Sequence, residues 1–69
     1  MAREGERAIR DKIYSLKEPY LQVSVLYFIH ERSVEEIALA LGRPKKTVQT
    51  QIYRARNTLR QQIEEGGGP

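Results

Sequence analysis

The sequence has 69 residues, no cysteine and a single histidine. Without cysteine there is no disulfide framework and no thiolate metal site, and one histidine gives no basis for a site built from the usual metal ligands. The sequence also contains no nucleophile–base pair of the kind that enzymes use. We therefore expect no enzymatic activity, no metal and no cofactor.

Long hydrophobic runs are also absent. No segment has the length of a membrane span, and the N-terminal sequence MAREGERAIRDK lacks the apolar core of a signal peptide. These absences predict a cytoplasmic protein without membrane association. Hydrophobic residues make up 39% of the chain and charged residues 30%, which is typical of one small folded helical domain.

Acidic residues are missing from one long segment, residues 41–62. The whole chain carries a net charge of +3, and six of its Lys and Arg residues fall within 43–60: Arg43, Lys45, Lys46, Arg54, Arg56 and Arg60. Solvated surfaces normally mix charges of both signs. A segment of one sign therefore favours a polyanionic partner such as nucleic acid.

The segment SVEEIALALGRPKKTVQTQIYRARNTLR, residues 33–60, predicts two helices joined by a tight turn. Ser33 followed by Glu36 is a capping box, in which each side chain accepts a hydrogen bond from the other residue's backbone N–H. Gly42 suits a left-handed helix end, and Pro44 suits the first turn of the next helix. A short helix, a tight turn and a long basic helix form a helix-turn-helix, whose second helix normally enters the DNA major groove.

Hydrophobic periodicity predicts an all-α fold, a small four-helix domain with the helix-turn-helix at its C-terminal end. The predicted helices cover roughly 6–16, 19–30, 34–41 and 44–63, within one domain of residues 1–65 and a flexible Gly-rich tail of residues 66–69. The second helix is apolar almost all round, which is typical of the buried centre of a bundle. We predict a core of Ile13, Val23, Leu26, Phe28, Ile37, Leu41, Val48, Ile52 and Leu59.

One face of the last helix carries the candidate DNA contacts. At 100° per residue, the face opposite its apolar stripe holds Lys46, Thr50, Tyr53, Arg54 and Asn57, with Gln49 on the flank. Arg suits guanine edges or phosphates, Gln and Asn suit adenine edges, and Thr and Tyr suit phosphates or a thymine methyl group. The alternative is an ordinary polar surface, and the missing acidic residues weigh against it.

The sequence LKEPYLQVSVLYFIHERSVEEIALALGRPKKTVQTQIYRARNTLR resembles region 4 of bacterial sigma factors, most closely the extracytoplasmic-function group. The matching features are S-x-E-E-I-A-x-x-L-G, P-x-x-T-V and R-A-R-x-x-L-R. This resemblance implies binding of the promoter minus-35 element through Lys46, Gln49, Thr50, Tyr53 and Arg54, with Arg43 and Lys45 near the DNA backbone. It also implies docking on the beta flap of RNA polymerase and binding by an anti-sigma factor that covers the domain.

Some features depart from that family or leave other functions open. Lys45 and Lys46 replace a pair that is more often apolar then glycine, and nothing resembles region 2, so we expect an excised domain or a free-standing protein that needs a region-2-like partner. A LuxR-type output domain shares much of the E-E-I-A-x-x-L-G signal, although the R-A-R-x-x-L-R ending argues against it. A protein-interaction module that docks through Tyr20, Leu21 and Val25 is the alternative from a different class.

Overall fold

The computed structural model describes the backbone of residues 4–67 and the side chains of residues 8–62. This part of the chain is entirely helical and contains no strand, which confirms the predicted all-α fold. The helices are α1 (Glu4–Tyr14), α2 (Tyr20–Ser24, continuing as a π-helix over Val25–Ile29), α3 (Val34–Leu41) and α4 (Lys45–Gly67). Within the same residues, no helix is both long and apolar enough to cross a membrane.

The second half of α2 differs from the prediction of a regular α-helix. The His30 N–H donates to the Val25 carbonyl at 3.1 Å, five residues back instead of four, as in a π-helix. The wider turn distributes bulky side chains between two parts of the core: Val25 and Ile29 pack on one, and Leu26 and Tyr27 on the other. Hydrophobic residues occur on all sides of this helix, so their spacing has no periodicity from which the π-helical segment could be predicted.

The connection after α2 places a non-glycine residue in the left-handed region. Glu31 has a φ of 56°, and the next N–H, of Arg32, donates to the Leu26 carbonyl at 3.0 Å. Glycine is the usual residue at such a helix end because a side chain there crowds the backbone. The turn therefore stores backbone strain at Glu31.

Helix α3 begins and ends as the sequence predicts. Ser33 Oγ accepts from the Glu36 N–H at 3.1 Å, and Glu36 Oε1 accepts from the Ser33 N–H at 2.9 Å, which completes the capping box. Gly42 is left-handed, with a φ of 67°, and the following N–H, of Arg43, donates to the Ala38 carbonyl at 3.0 Å. This is the Schellman arrangement, and it fixes the direction in which the chain enters α4.

Helix α4 starts at Lys45, directly after Pro44, and ends at Gly67. The predicted end near Ile63 is therefore wrong. Extending an existing helix adds one hydrogen bond for each residue that is fixed, and a glycine costs only about 1 kcal/mol relative to alanine, so Gly66 and Gly67 do not have to stop it. Gly68 and Pro69 lie outside the described residues, and the flexible tail remains a prediction.

The core consists of two clusters that share α4. Ile13 and Leu16 pack with Ala55 and Leu59 in one cluster, and the other contains Val23, Ile37, Val48 and Ile52. Six of the nine predicted core residues are buried, but Leu26, Phe28 and Leu41 are only half-buried. A domain this small has too little interior to cover every side of its central helix.

The buried face of α2 also contains a polar residue. Ser24 is fully buried beside Val23, and its hydroxyl has no hydrogen-bond partner among the described residues. A small side chain allows close approach of neighbouring helices, and α2 packs against α4. The unpaired hydroxyl nevertheless opposes folding, because it loses its hydrogen bonds to water without replacement.

Candidate nucleic-acid interface

The outer face of α4 is exposed where the sequence predicts DNA contacts. Helix α4 buries Val48, Ile52, Ala55 and Leu59 against the other helices, which leaves the opposite face to solvent. Six of the eight predicted contact residues have exposed side chains on this helix and sit on or beside that face: Lys46, Gln49, Thr50, Tyr53, Arg54 and Asn57. Tyr53 keeps 65% of its surface exposed, so its ring and hydroxyl group are accessible to a ligand.

Three of these residues line a shallow groove between α4 and the start of α2. Lys46, Thr50 and Arg54 stand on its α4 side, and Pro19 and Tyr20 form the facing side. Residues 46, 50 and 54 are four apart and therefore lie in one row along the helix. Neither Lys46 nor Arg54 forms an ion pair or a side-chain hydrogen bond within the described part of the chain, so both cations are available to an anionic ligand.

Lys45 is held in an ion pair across the helix-turn-helix. Its Nζ lies 2.7 Å from Glu35 Oε2, and both side chains are exposed. The hydrogen bond from Lys45 lowers the pKa of Glu35 below its ordinary value, and a backbone hydrogen bond adds to this effect. Exposed pairs of this kind contribute little to stability. The more important consequence of this pair is that Glu35 partly neutralises a cation at the start of α4.

Arg43 is the least exposed of the eight predicted contact residues and is turned toward the protein. Its Nη1 donates to the Pro19 carbonyl at 3.2 Å and to Gln51 Oε1 at 3.0 Å. These contacts join the turn before α4 to the chain before α2, 24 residues away in sequence. The sequence predicted a position near the DNA backbone for Arg43 and not these hydrogen bonds, because no residue close to Arg43 in the sequence indicates which partners it has.

Arg56 has a separate environment on the flank of α4. Its guanidinium carbon lies 5.8 Å from the centroid of the Phe28 ring, within the range of a cation–π interaction. The Phe28 ring also packs edge to face with the Tyr27 ring, with 5.0 Å between the two centroids and an interplanar angle of 88°. Lys46 and Arg54 on α4 therefore face outward, whereas Lys45 is paired with Glu35 and Arg56 lies against the apolar body of α2.

Two comparisons with known proteins show the family to which this chain belongs. The family "Sigma-70, region 4" matches residues 6–59, most of the chain. The chain is also 40% identical over 62 residues to the ECF RNA polymerase sigma factor SigW of Bacillus subtilis (strain 168). That alignment covers 90% of this chain and 33% of the relative, so the chain spans about a third of the relative's length. No solved structure gives a significant match.

The family match also decides between two of the alternatives left open by the sequence. Both the matched family and the relative are of the sigma-factor type, which favours sigma region 4 over a LuxR-type output domain. Proteins of this family bind DNA in transcription and are not enzymes. The chain belongs to the sigma-70 region 4 family, is similar to a sigma factor of the extracytoplasmic-function type, and is a sigma-factor DNA-binding domain of helix-turn-helix form.

Proposed function

We propose that this domain recognises the minus-35 element of promoters through the outer face of α4 and brings RNA polymerase to them by docking on its beta flap. The observation that carries this proposal is the row of Lys46, Thr50 and Arg54 on the exposed face of a helix segment without acidic residues. This row combines charge for phosphates with hydrogen-bonding groups for base edges. The proposal places the domain in the cytoplasm, where promoter DNA and RNA polymerase are found.

The contacts divide into positioning and reading residues by their place along α4. Lys45 and Lys46 stand in the first turn, where free backbone N–H groups and the helix dipole already favour phosphate. Gln49, Tyr53 and Arg54 lie one to two turns further along. There Gln49 and Arg54 can each present two polar groups to a base edge in the major groove. Thr50 and Asn57 complete the contact surface.

The DNA part of the proposal is tested by binding to duplexes of defined sequence. A duplex selected by the domain from a randomised pool is compared with a scrambled duplex by fluorescence anisotropy over a series of salt concentrations. Lys46→Ala should weaken both complexes about equally and reduce the log–log salt slope by about one unit. Arg54→Ala should cost about 1–3 kcal/mol on the selected duplex and little on the scrambled one.

Three results would count against this division of roles. Equal losses on both duplexes for Arg54→Ala would make Arg54 a phosphate contact. No effect of either substitution would make the basic face an ordinary solvated surface. No enrichment of any sequence by the domain would contradict promoter recognition itself.

Docking on polymerase is supported by apolar surface that the small core leaves uncovered. Tyr20, Leu21 and Val25 pack on the cluster around Ile13 but are only half-buried. On the α1 side, Ile9 is 44% exposed and lines a groove between α1 and the end of α2. Exposed apolar surface of this kind is typical of a protein-binding site.

An isolated beta-flap fragment tests the docking by isothermal titration calorimetry, with and without DNA. Leu21→Ser should weaken flap binding without changing DNA affinity, and Lys46→Ala should do the reverse. Tight DNA binding without flap binding would favour a different type of regulator. Flap binding without DNA affinity would favour the pure interaction module, whose partners would then include an anti-sigma factor or a separate region-2-like protein.

A further inference from the structure

We infer that Arg43 is a positioning residue for DNA recognition, which holds α4 against the start of α2 instead of contacting the DNA backbone. The inference rests on the proposed DNA binding by α4. It departs from the role predicted for Arg43 from the sequence, a contact near the DNA backbone. It also assigns a role to Gln51, which the predicted contact surface omits.

Backbone contacts hold Arg43 in place independently of its side chain. The left-handed Gly42 and the hydrogen bond from the Arg43 N–H to the Ala38 carbonyl, at 3.0 Å, attach this residue to the end of α3. From this fixed point, the side chain extends toward the start of α2. The guanidinium of Arg43 therefore holds its hydrogen-bond partners at a fixed place relative to the end of α3.

The guanidinium binds one group on each side of the groove between α4 and the start of α2. Nη1 donates to the Pro19 carbonyl at 3.2 Å on the α2 side and to Gln51 Oε1 at 3.0 Å on the α4 side. Both bonds are partly buried, and a planar guanidinium directs its donors along fixed angles. Partial burial strengthens such bonds because less water competes for them.

Gln51 connects this arrangement to the DNA-facing residues. It lies between the exposed Thr50 and the buried Ile52, and it lines the same groove as Lys46 and Arg54. A rotation of α4 about its axis would break the bond from Arg43 to Gln51 and would also move Thr50 and Arg54 away from their bases. Binding residues need to be held within small limits of distance and angle by neighbours that do not themselves touch the ligand.

A positioning role and a phosphate contact differ in what they predict for salt dependence and for Gln51. A phosphate contact adds one released counterion, so its removal lowers the salt slope by about one unit. A positioning contact changes affinity without changing the number of phosphates neutralised. It also requires its partner, whereas a phosphate contact by Arg43 would not depend on the uncharged Gln51.

The experiment is a double-mutant cycle on DNA binding with Arg43→Met, Gln51→Leu and the combined variant. Affinity for the selected duplex is measured by fluorescence anisotropy over a salt series, at a temperature where circular dichroism shows every variant fully folded. Each single variant should bind about tenfold more weakly, and the combined variant no more weakly than either one. The salt slope should stay unchanged, and Gln61→Leu, a matched change at an exposed position of α4, should bind like the wild type.

Each other outcome overturns the inference in a distinguishable way. A slope lower by about one unit for Arg43→Met, with no effect of Gln51→Leu, would make Arg43 a phosphate contact. Losses that multiply in the combined variant would make the two residues independent. A lower melting temperature with unchanged affinity would make the contacts purely stabilising. If the wild-type domain selects no duplex, the proposed function fails first and this inference fails with it.

Discussion

The ammonium group of Lys45 lies 2.7 Å from the carboxylate of Glu35, so the first residue of α4 is paired with the first turn of α3. This ion pair links the two halves of the helix-turn-helix. It also places the only acidic group that pairs with a candidate DNA contact, among the described residues, beside the first turn of α4.

Removing this acidic charge should strengthen DNA binding. Glu35→Gln frees Lys45 and removes a negative charge near the DNA, so affinity should rise on selected and scrambled duplexes alike, with a salt slope steeper by up to about one unit. Asp11→Asn, the same charge change on α1, is the control and should have a smaller effect in fluorescence anisotropy. Weaker binding by Glu35→Gln would instead show that Glu35 orients Lys45 for its phosphate.

Arg56 and Arg54 should differ in what they contribute although they are two residues apart on α4. The guanidinium of Arg56 lies over Phe28, so Arg56→Ala should lower the free energy of unfolding by about 0.5–1 kcal/mol. Arg54→Ala should leave stability within about 0.5 kcal/mol and weaken DNA binding more than Arg56→Ala does. Urea titration and fluorescence anisotropy on both variants measure the contrast. The same ranking of the two variants in both measurements would contradict the assignment.

Replacing the buried Ser24 should stabilise the domain. Ser24→Ala removes a hydroxyl that has no hydrogen-bond partner within the described part of the chain, which costs about 1–3 kcal/mol when buried, and introduces a better helix former. We expect a gain of about 1 kcal/mol and a melting temperature higher by about 4–8 °C. Ser15→Ala is the control, because Ser15 Oγ donates to the Lys12 carbonyl at 2.7 Å and its removal should bring no gain. A less stable Ser24→Ala would reveal a bound water or another partner for the hydroxyl.

The strained turn after α2 offers a second stabilising substitution. Glu31 has a φ of 56°, and glycine adopts this conformation without steric cost, so Glu31→Gly should raise the free energy of unfolding by about 1 kcal/mol. Arg32→Gly, one residue later and outside the positive-φ region, should lower it. Thermal unfolding followed by circular dichroism compares the two variants. A loss of stability in both would mean that the side chain of Glu31 contributes more than its strain costs.

A matched pair of apolar residues tests the core. Ile52 is 5% exposed and belongs to the cluster with Val23, Ile37 and Val48, whereas Leu39 on α3 is 85% exposed. Ile52→Ala should cost about 2–5 kcal/mol through lost burial and a cavity, enough to unfold much of so small a domain. Leu39→Ala should change stability by less than about 0.5 kcal/mol. Similar melting temperatures for Ile52→Ala and the wild type would show that Ile52 is not part of the core.

The helix-turn-helix and its exposed face were predictable because their signals are local. The capping box joins Ser33 and Glu36 within one helical turn, the glycine at position 42 favours a left-handed helix end, and the stripe of Val48 and Ile52 repeats at the helical period. Each feature depends on residues a few positions apart, which any helix brings together in the same way. Once the apolar stripe identifies the buried face of α4, the residues on the opposite face are expected to be exposed.

Contacts between distant residues were decided only by the tertiary structure. Arg43 meets Pro19 across 24 positions, Lys45 meets Glu35 across the turn, and Arg56 meets Phe28 between two helices. The π-helical part of α2 likewise depends on how its apolar side chains fit between two clusters. The sequence by itself determined which residues on α4 face outward. Packing determined which of its cations remain available to DNA, because a charged side chain takes the partner that the neighbouring helix brings within reach.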